Sequence, residues 1–123
     1  MIPVPGFCFG IGDTPKTPAE VEPALRQLRP YLTWGVRTYS TRSFPGLGPL
    51  AHGLGLKVAA GAWLNQDRQA NRDELDRLIA AARAGEVDLA VVGNETLFRQ
   101  DLDPAELIDL LQAFRAAVPG VPV

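Results

Sequence analysis

The stretch Leu89-Ala90-Val91-Val92-Gly93-Asn94-Glu95 carries the strongest information about the fold. Four consecutive apolar residues that end at a glycine are typical of a short strand buried on both faces, as the strands of parallel sheets are. The polar pair Asn94 and Glu95 follows at once. This pair therefore falls at the carboxyl end of the predicted strand, where βα proteins keep their functional side chains.

Further strands are predicted on both sides of this stretch. Apolar runs of the same kind occupy residues 7–11, 35–39 and 56–62, and a fifth strand is expected to begin at residues 121–123. The strands are separated by segments in which apolar residues recur every three or four positions, which predicts amphipathic helices. The chain therefore alternates strand and helix throughout its length.

The predicted helices begin with recognisable capping residues. Thr17-Pro18-Ala19-Glu20 and Asp103-Pro104-Ala105-Glu106 each combine a capping side chain, a proline in the first turn and a glutamate three residues on. The third helix is expected to begin at Asn71 as its cap. The apolar positions along the four helices are Val21, Leu25, Leu28 and Leu32; Leu47, Leu50, Ala51 and Leu54; Leu75, Leu78, Ile79 and Ala82; and Leu107, Ile108, Leu111 and Phe114.

This alternation predicts an α/β fold with a parallel sheet. The sheet is either open and doubly wound, as in flavodoxin-like proteins, or part of a closed (β/α)8 barrel of the TIM type. A barrel needs about 250 residues, and this chain has 123, so its four βα units would form a half-barrel. A dinucleotide-binding loop is not expected, because Gly10-Ile11-Gly12 is followed by Asp13 and not by a third glycine at the required spacing.

The composition excludes several classes of function. The net charge is −2 without a run of like charges, which argues against nucleic acid and anionic membranes as partners. One cysteine and one histidine are too few for a zinc site, and we expect neither a metal nor a cofactor. The apolar stretch at residues 58–64 is too short to span a bilayer. No signal peptide is recognisable at the start.

The ends of the predicted strands carry polar and aromatic side chains that suit a sugar. Arg37 and Tyr39 end the second strand, Trp63 ends the third, and Asn94 and Glu95 end the fourth. Sugar rings lie on aromatic faces, and sugar hydroxyls bind amides and carboxylates. We therefore interpret Tyr39, Trp63, Asn94 and Glu95 as a candidate carbohydrate site, with Glu95 as the candidate catalytic carboxylate.

Each of these residues also has a structural interpretation. Glu95 could be a solvated carboxylate or a partner of Arg99. Arg37 could be an interior arginine held by a carboxylate, with Tyr39 packed over it. Trp63 could be a core aromatic under the third helix. The residues by themselves leave both interpretations open.

Three motifs in order resemble those of glycoside hydrolase family 17, the β-1,3-glucanase family. Val91-Val92-Gly93-Asn94-Glu95 resembles its acid/base signature, and Arg37-Thr38-Tyr39-Ser40 its second-strand motif. Gly61-Ala62-Trp63-Leu64, followed by Asn71 and Glu74-Leu75, is similar to the third unit of bacterial members, which include β-glucan transglycosylases. The resemblance implies a (β/α)8 barrel, a β-glucan oligosaccharide as substrate, and retaining chemistry. It further implies that Glu95 is the acid/base, that Asn94 binds the 2-hydroxyl of the sugar, and that Arg37 and Tyr39 line the sugar site.

The sequence departs from the family at the nucleophile, a glutamate near the end of the seventh strand. No acid in this chain matches that motif, and Asp13, Asp67 and Asp101 are expected only to shape or solvate their loops. We therefore expect residues 1–123 to be the N-terminal half of a glycoside hydrolase catalytic domain, inactive when isolated. Its open sheet edges would pair in a homodimer or with a complementary half-barrel. Family members often act in the cell envelope or outside the cell.

Two alternatives to a catalytic half-domain remain. One is a carbohydrate-binding remnant that uses Trp63, Tyr39 and Asn94 without cleaving a bond. The other is a βα domain of an unrelated class.

Overall fold

The computed structural model describes residues 3–10 and 14–123. In this part of the chain four strands alternate with four α-helices. The elements are β1 (Val4–Phe9), α1 (Pro18–Leu28), β2 (Leu32–Thr38), α2 (Leu47–Gly53), β3 (Lys57–Ala62), α3 (Arg68–Arg83), β4 (Leu89–Val92) and α4 (Pro104–Ala117), with short 3-10 turns at Arg29–Tyr31 and Thr41–Ser43.

The four strands form one parallel sheet in the order β1-β2-β3-β4. Each strand therefore lies beside the next strand in sequence, as successive units of a (β/α)8 barrel do. An open doubly wound sheet would reverse its strand order at one point, and the described strands contain no such reversal. Right-handed crossovers that all step in one direction place the helices on one face of the sheet.

The core lies between this face and the helices. Val36, Val58 and Val92 point from the strands toward the helix layer and are buried. They meet the fully buried side chains Leu78 of α3 and Phe114 of α4. The alternate strand positions point to the opposite face, which would be the interior of a barrel, and the candidate site residues lie on that side.

The capping predictions are confirmed at two helices. The N–H of Glu20 donates to Thr17 Oγ1 at 3.3 Å, and the N–H of Thr17 donates to the Glu20 carboxylate at 2.8 Å. Asp103 and Glu106 make the same reciprocal pair at the start of α4. Both boxes lie within four residues of chain, which is why sequence alone indicates them.

The predicted cap of α3 is wrong. The helix begins four residues earlier, because Asp67 accepts hydrogen bonds from the N–H groups of Gln69 and Ala70. Asn71 lies inside the first turns and is buried. Its amide bonds both backbone groups of Asn65, at 2.8 and 2.7 Å, and so fastens the loop after β3 to α3.

Two strand boundaries also differ from the prediction. The first strand begins at Val4, and Ile11, its predicted last residue, lies outside the described residues. Leu32, assigned above to the inner face of the first helix, instead opens β2. Pro30 stands in the 3-10 turn between them and lacks the N–H that would continue the helical hydrogen bonds, so α1 ends at Leu28.

Residues 121–123 form no assigned strand, but the N–H of Ala90 in β4 donates to the carbonyl of Pro122 at 2.8 Å. The outer edge of β4 is therefore already engaged by this segment. Among the helices in the described part of the chain, none has the length and apolar character required to cross a membrane.

Candidate functional site

The residues predicted to bind sugar lie together on the face of the sheet opposite the helices. Arg37 of β2 is in register with Ala59 of β3, and Tyr39 and Trp63 follow these strands. The guanidinium carbon of Arg37 lies 5.0 Å from the centre of the Tyr39 ring. Tyr39 and Trp63 meet edge to face, with ring centres 6.3 Å apart. Arg37, Tyr39 and Trp63 thus form one continuous surface.

Asn94 joins this surface through Arg37. The Nη2 of Arg37 donates to Asn94 Oδ1 at 2.9 Å, which connects the ends of β2 and β4 across the intervening strand. The Nε of Arg37 is buried and makes no hydrogen bond within the described residues. The interior arginine is therefore held by an amide and an aromatic ring, and the carboxylate partner considered from the sequence is not found among its described contacts.

Glu95 is exposed and has an unusual backbone conformation. Its φ is +55°, in the left-handed region that non-glycine residues seldom adopt. Gly93, two residues earlier, has a φ of +86°. Such a conformation costs about 1–3 kcal/mol and persists only where surrounding contacts enforce it. The carbonyl of Glu95 accepts from the N–H of Arg99 at 2.9 Å. Residues 93–99 therefore form a constrained turn that presents the Glu95 carboxylate at the end of β4.

Arg99 connects this turn to the end of β3. Its Nε donates to Asp101 Oδ2 at 2.7 Å, and its Nη2 donates to the carbonyl of Leu64 at 3.0 Å. Its Nη1 donates to the carbonyl of Asn94. The guanidinium also lies over the Trp63 ring, 4.4 Å from its centre. Arg99 thus pairs with Asp101, and its contacts do not include the Glu95 carboxylate that the sequence suggested as an alternative partner.

Glu74 holds the loops after β2 and β3 from the helix side. Ser40 Oγ donates to its carboxylate at 2.8 Å, and the N–H of Trp63 donates to the same oxygen at 2.9 Å. The place of Glu74 in the third-unit motif did not predict this role. The available signal was its position on α3, directly before the buried Leu75 and one turn before Leu78, where an unpartnered carboxylate would be costly.

The pKa of the Tyr39 phenol is raised. Its contact with the Cys8 thiol is the main cause, followed by partial burial and the negative charge of Glu95, while Arg37 acts in the opposite direction. Tyr39 therefore remains protonated at neutral pH and can donate a hydrogen bond to a ligand. Cys8 is a half-buried free thiol of β1 that faces this site.

The remaining acids named from the sequence have structural contacts or lie outside the described residues. Asp67 caps α3 and Asp101 pairs with Arg99. Asp13 lies in the part of the chain that the structure does not describe. Residues 3–10 and 14–123 bring together no cluster of three or more histidine, cysteine or acidic side chains that could hold a metal ion.

The comparison with protein families decides which class of protein this site belongs to. The model of the BtgE/BtgC glycoside hydrolase domain matches residues 9–122, nearly the whole chain. This chain belongs to the BtgE/BtgC glycoside hydrolase domain family. The matched range includes every residue of the candidate site.

Two yeast proteins resemble this BtgE/BtgC domain in sequence. A glucan 1,3-β-glucosidase of Candida albicans is 26% identical over 91 residues, which are 70% of this chain and 30% of that protein. The glucan 1,3-β-glucosidase of Saccharomyces cerevisiae is 27% identical over 113 residues, which are 88% of this chain and 36% of that protein. The chain spans about a third of the length of these curated relatives. The predicted resemblance to β-1,3-glucan-active glycoside hydrolases is confirmed.

A solved structure confirms the fold of the BtgE/BtgC domain. It is an active-site mutant of the Rhizomucor miehei β-1,3-glucanosyltransferase in complex with laminaritriose. The TM-score is 0.80 at 22% identity, and the likeness covers 94% of this chain and 46% of the other. The prediction of an α/β half-barrel of the (β/α)8 type is therefore confirmed, and the flavodoxin-like alternative is wrong.

Proposed function

We propose that this domain acts on β-glucan oligosaccharides as part of a retaining hydrolase or transglycosylase, with Glu95 as the acid/base. The observation that carries the proposal is the placement of Asn94 and Glu95. They follow β4 directly, and Arg37 holds the Asn94 side chain in a chain that matches the glycoside hydrolase family along residues 9–122. In the alternative function, a non-catalytic carbohydrate-binding domain, the same surface would bind the sugar and Glu95 would have no catalytic role.

The chemistry follows from the exposure of Glu95. A retaining glycosidase uses two carboxyl groups about 5–5.5 Å apart, of which one protonates the leaving oxygen and then activates water or an acceptor sugar. Glu95 is exposed at the end of β4, where a glycosidic oxygen can reach it.

Asn94 is suited to bind a sugar hydroxyl because its amide has a fixed orientation. The guanidinium of Arg37 can only donate, so it must face the carbonyl oxygen of the amide. The Asn94 NH2 group then points to the other side and can donate to the hydroxyl next to the reacting carbon. In retaining glycosidases a hydrogen bond to the 2-hydroxyl becomes stronger in the transition state.

Tyr39 and Trp63 provide the remaining contacts. The Tyr39 phenol, protonated at neutral pH, donates to a sugar hydroxyl. One face of Trp63 is covered by Arg99, so a sugar ring would stack on the opposite face. The solved structural neighbour binds laminaritriose, and the yeast relatives are glucan 1,3-β-glucosidases, which favours β-1,3-linked glucose as the substrate.

The nucleophile of the proposed reaction must come from outside the loops named above. Asp67 and Asp101 are engaged by the α3 amides and by Arg99, and neither is free to attack a sugar. The 123-residue chain is therefore expected to bind laminari-oligosaccharides without cleaving them.

A titration with laminaritriose, followed by NMR, tests the proposed function. We expect shifts of the Tyr39, Trp63 and Asn94 resonances, and Asn94→Ala should weaken binding about tenfold, the effect of one lost hydrogen bond of about 1.4 kcal/mol. The control is Glu86→Gln, a carboxylate before β4 at the opposite end of the strand, which should bind like the unaltered chain.

Product analysis by mass spectrometry completes this experiment. Binding without cleavage is the expected result for the isolated chain. Cleavage that is lost in Glu95→Gln would support Glu95 but would show that the chain contains its own nucleophile. If laminaritriose at millimolar concentration shifts none of these resonances, the proposed substrate is wrong.

A further inference from the structure

We propose that Arg99 is the positioning residue of the site: it holds the turn that presents Asn94 and Glu95 and fixes this turn against the end of β3. The inference rests on the proposed function for the role of Glu95, but the contacts that carry it do not depend on the substrate. Arg99 lies four residues after Glu95 and touches the turn, the neighbouring loop and the Trp63 ring.

Each nitrogen of the Arg99 guanidinium has an acceptor on a different part of the site. One binds the carbonyl of Asn94 in the turn, one binds the carbonyl of Leu64 after β3, and one binds the carboxylate of Asp101. Its flat face covers Trp63. This side chain therefore holds the turn with the proposed acid/base against Leu64 and the proposed stacking residue Trp63 at the end of β3.

The turn requires such an external contact. Glu95 and Gln100 both have positive φ, at +55° and +58°, although neither is glycine. The hydrogen bonds within the turn run from Arg99 N to Glu95 O, from Gln100 N to Leu97 O and from Asp101 N to Thr96 O. These bonds close the turn on itself but do not attach it to the sheet. The N–H of Gly93 and the side chain of Asn94 join the start of the turn to Ala62 and Arg37. The Arg99 side chain attaches its other end to Leu64 and Trp63.

The chemistry of this contact requires arginine in particular. A planar guanidinium can donate in three directions in its plane while stacking on an aromatic ring, and it retains its charge at every physiological pH. A lysine ammonium is a point donor and cannot make the two carbonyl contacts and the stack together. Arg99→Lys should therefore fail to restore the position of Glu95, although it conserves the charge beside Asp101.

Arg68 offers a matched control. It donates to the carbonyls of Gln66 at 3.1 Å and Asp101 at 3.2 Å and pairs with Glu106 at 2.6 Å, so it also links the loops after β3 and β4. Its contacts do not include Asn94, Leu64 or the Trp63 ring within the described residues. Arg68→Met removes an arginine from the same region without removing the contacts assigned to Arg99.

NMR spectra and thermal melts of Arg99→Met, Arg99→Lys and Arg68→Met test the inference. We expect both Arg99 variants to shift the Glu95 backbone amide, the Asn94 side-chain amide and the Trp63 indole N–H. Arg68→Met should leave these three resonances in place even where it lowers the melting temperature by a similar amount. If Arg99→Met does not fold, Arg99→Lys provides the same comparison.

Two results would overturn the inference: unchanged Glu95 and Trp63 resonances in the folded Arg99 variants, or equal shifts in Arg68→Met. Laminaritriose binding separates this inference from the proposed function. If the unaltered chain binds no laminaritriose while the resonances shift as expected, the proposed substrate fails and Arg99 keeps its role. If the unaltered chain binds and the Arg99 variants bind equally well with unshifted resonances, the role of Arg99 fails and the proposed substrate stands.

Discussion

The carboxamide of Asn94 has a defined orientation because the guanidinium of Arg37, which can only donate hydrogen bonds, faces its oxygen. Arg37 Nη2 binds its oxygen at 2.9 Å, and Arg37 in turn lies against the Tyr39 ring. Burying Arg37 costs free energy of folding, since its Nε is buried without a hydrogen-bond partner in the described residues. A charged residue that is buried with an unpaired nitrogen does not stabilise the fold, so we infer that Arg37 serves ligand binding.

Arg37→Met tests whether Arg37 contributes to ligand binding and not to the stability of the fold. Methionine keeps much of the apolar stem of arginine and removes the buried unpaired nitrogen, so the free energy of unfolding should change by less than about 1 kcal/mol. Laminaritriose binding should weaken about tenfold because the Asn94 amide is no longer oriented. Urea unfolding and the NMR titration measure the two effects. A large loss of stability with unchanged binding would show that Arg37 is a structural residue.

The strands and helices of the half-barrel can be predicted from local sequence patterns, but the contacts between them cannot. The strands lie within a few residues of the predicted ranges because each is a short apolar run bounded by turn residues. The expected burial on both faces is wrong for β4, since Ala90 and Val92 are buried but Leu89 is exposed. The caps at Thr17 and Asp103 were predicted because a capping box is complete within four residues. The cap of α3 was missed because Asp67 and Asn71 are equally suitable capping residues, and the two bonds between the Asn71 amide and the Asn65 backbone decide between them.

The same limit applies to the candidate site. Arg37, Tyr39, Trp63, Asn94 and Glu95 could be named because a parallel sheet brings its strand ends to one edge. The contacts of Glu74 and Arg99 could not be predicted in this way. Both residues act on backbone N–H or carbonyl groups of other loops, such as those of Trp63 and Leu64, and a backbone acceptor has no signature in the sequence.

The contact between His52 of α2 and Asp88, which precedes β4, gives a prediction about how stability depends on pH. Burial alone would raise the pKa of Asp88, but the hydrogen bonds from His52 and from the N–H of Val58 outweigh it, so the pKa of this carboxyl is lowered. A carboxyl whose pKa is lower in the folded state stabilises the fold above its unfolded pKa of about 3.9. This stabilisation is lost as the pH falls through the folded pKa.

Asp88→Asn should therefore lower stability most at neutral pH. We expect a loss of about 1 kcal/mol at pH 7, a modest value because the pair is partly exposed, and a difference that shrinks toward pH 3. Urea midpoints of both chains between pH 3 and pH 7 measure it. A difference that stays constant or grows on acidification would contradict the assigned direction of the Asp88 pKa.

At the scale of the whole molecule, the described sheet has two edges that a closed barrel would not have. Residue Pro122 already bonds to the β4 edge through Ala90. The β1 side is more open: Val4 and Phe7 expose 41% and 48% of their surface. Flat apolar edges invite pairing with another chain. We propose that the isolated 123-residue chain associates through this edge, with a second copy or with a complementary half-barrel.

Light scattering across a range of concentrations tests the association. The chain should show a mass that rises with concentration, and Phe7→Lys should reduce this rise by placing a charge at the β1 edge. The control is Phe98→Lys, which changes a more exposed aromatic residue, at 86%, in the loop after β4. A monomer at all concentrations with one cooperative melt would refute the proposed pairing.

The role of Glu95 as the acid/base can be tested with α-laminaribiosyl fluoride as donor and laminaribiose as acceptor. This donor carries its own leaving group and has the anomeric configuration of the covalent intermediate of a retaining enzyme, so transfer needs a general base but no protein nucleophile. Mass spectrometry of the products would follow the unaltered chain, Glu95→Gln and the control Glu86→Gln. If Glu95 has this role, we expect a β-linked tetrasaccharide from the unaltered chain and from Glu86→Gln, and none from Glu95→Gln. Equal product with Glu95→Gln, or no product from any of the three, would contradict it.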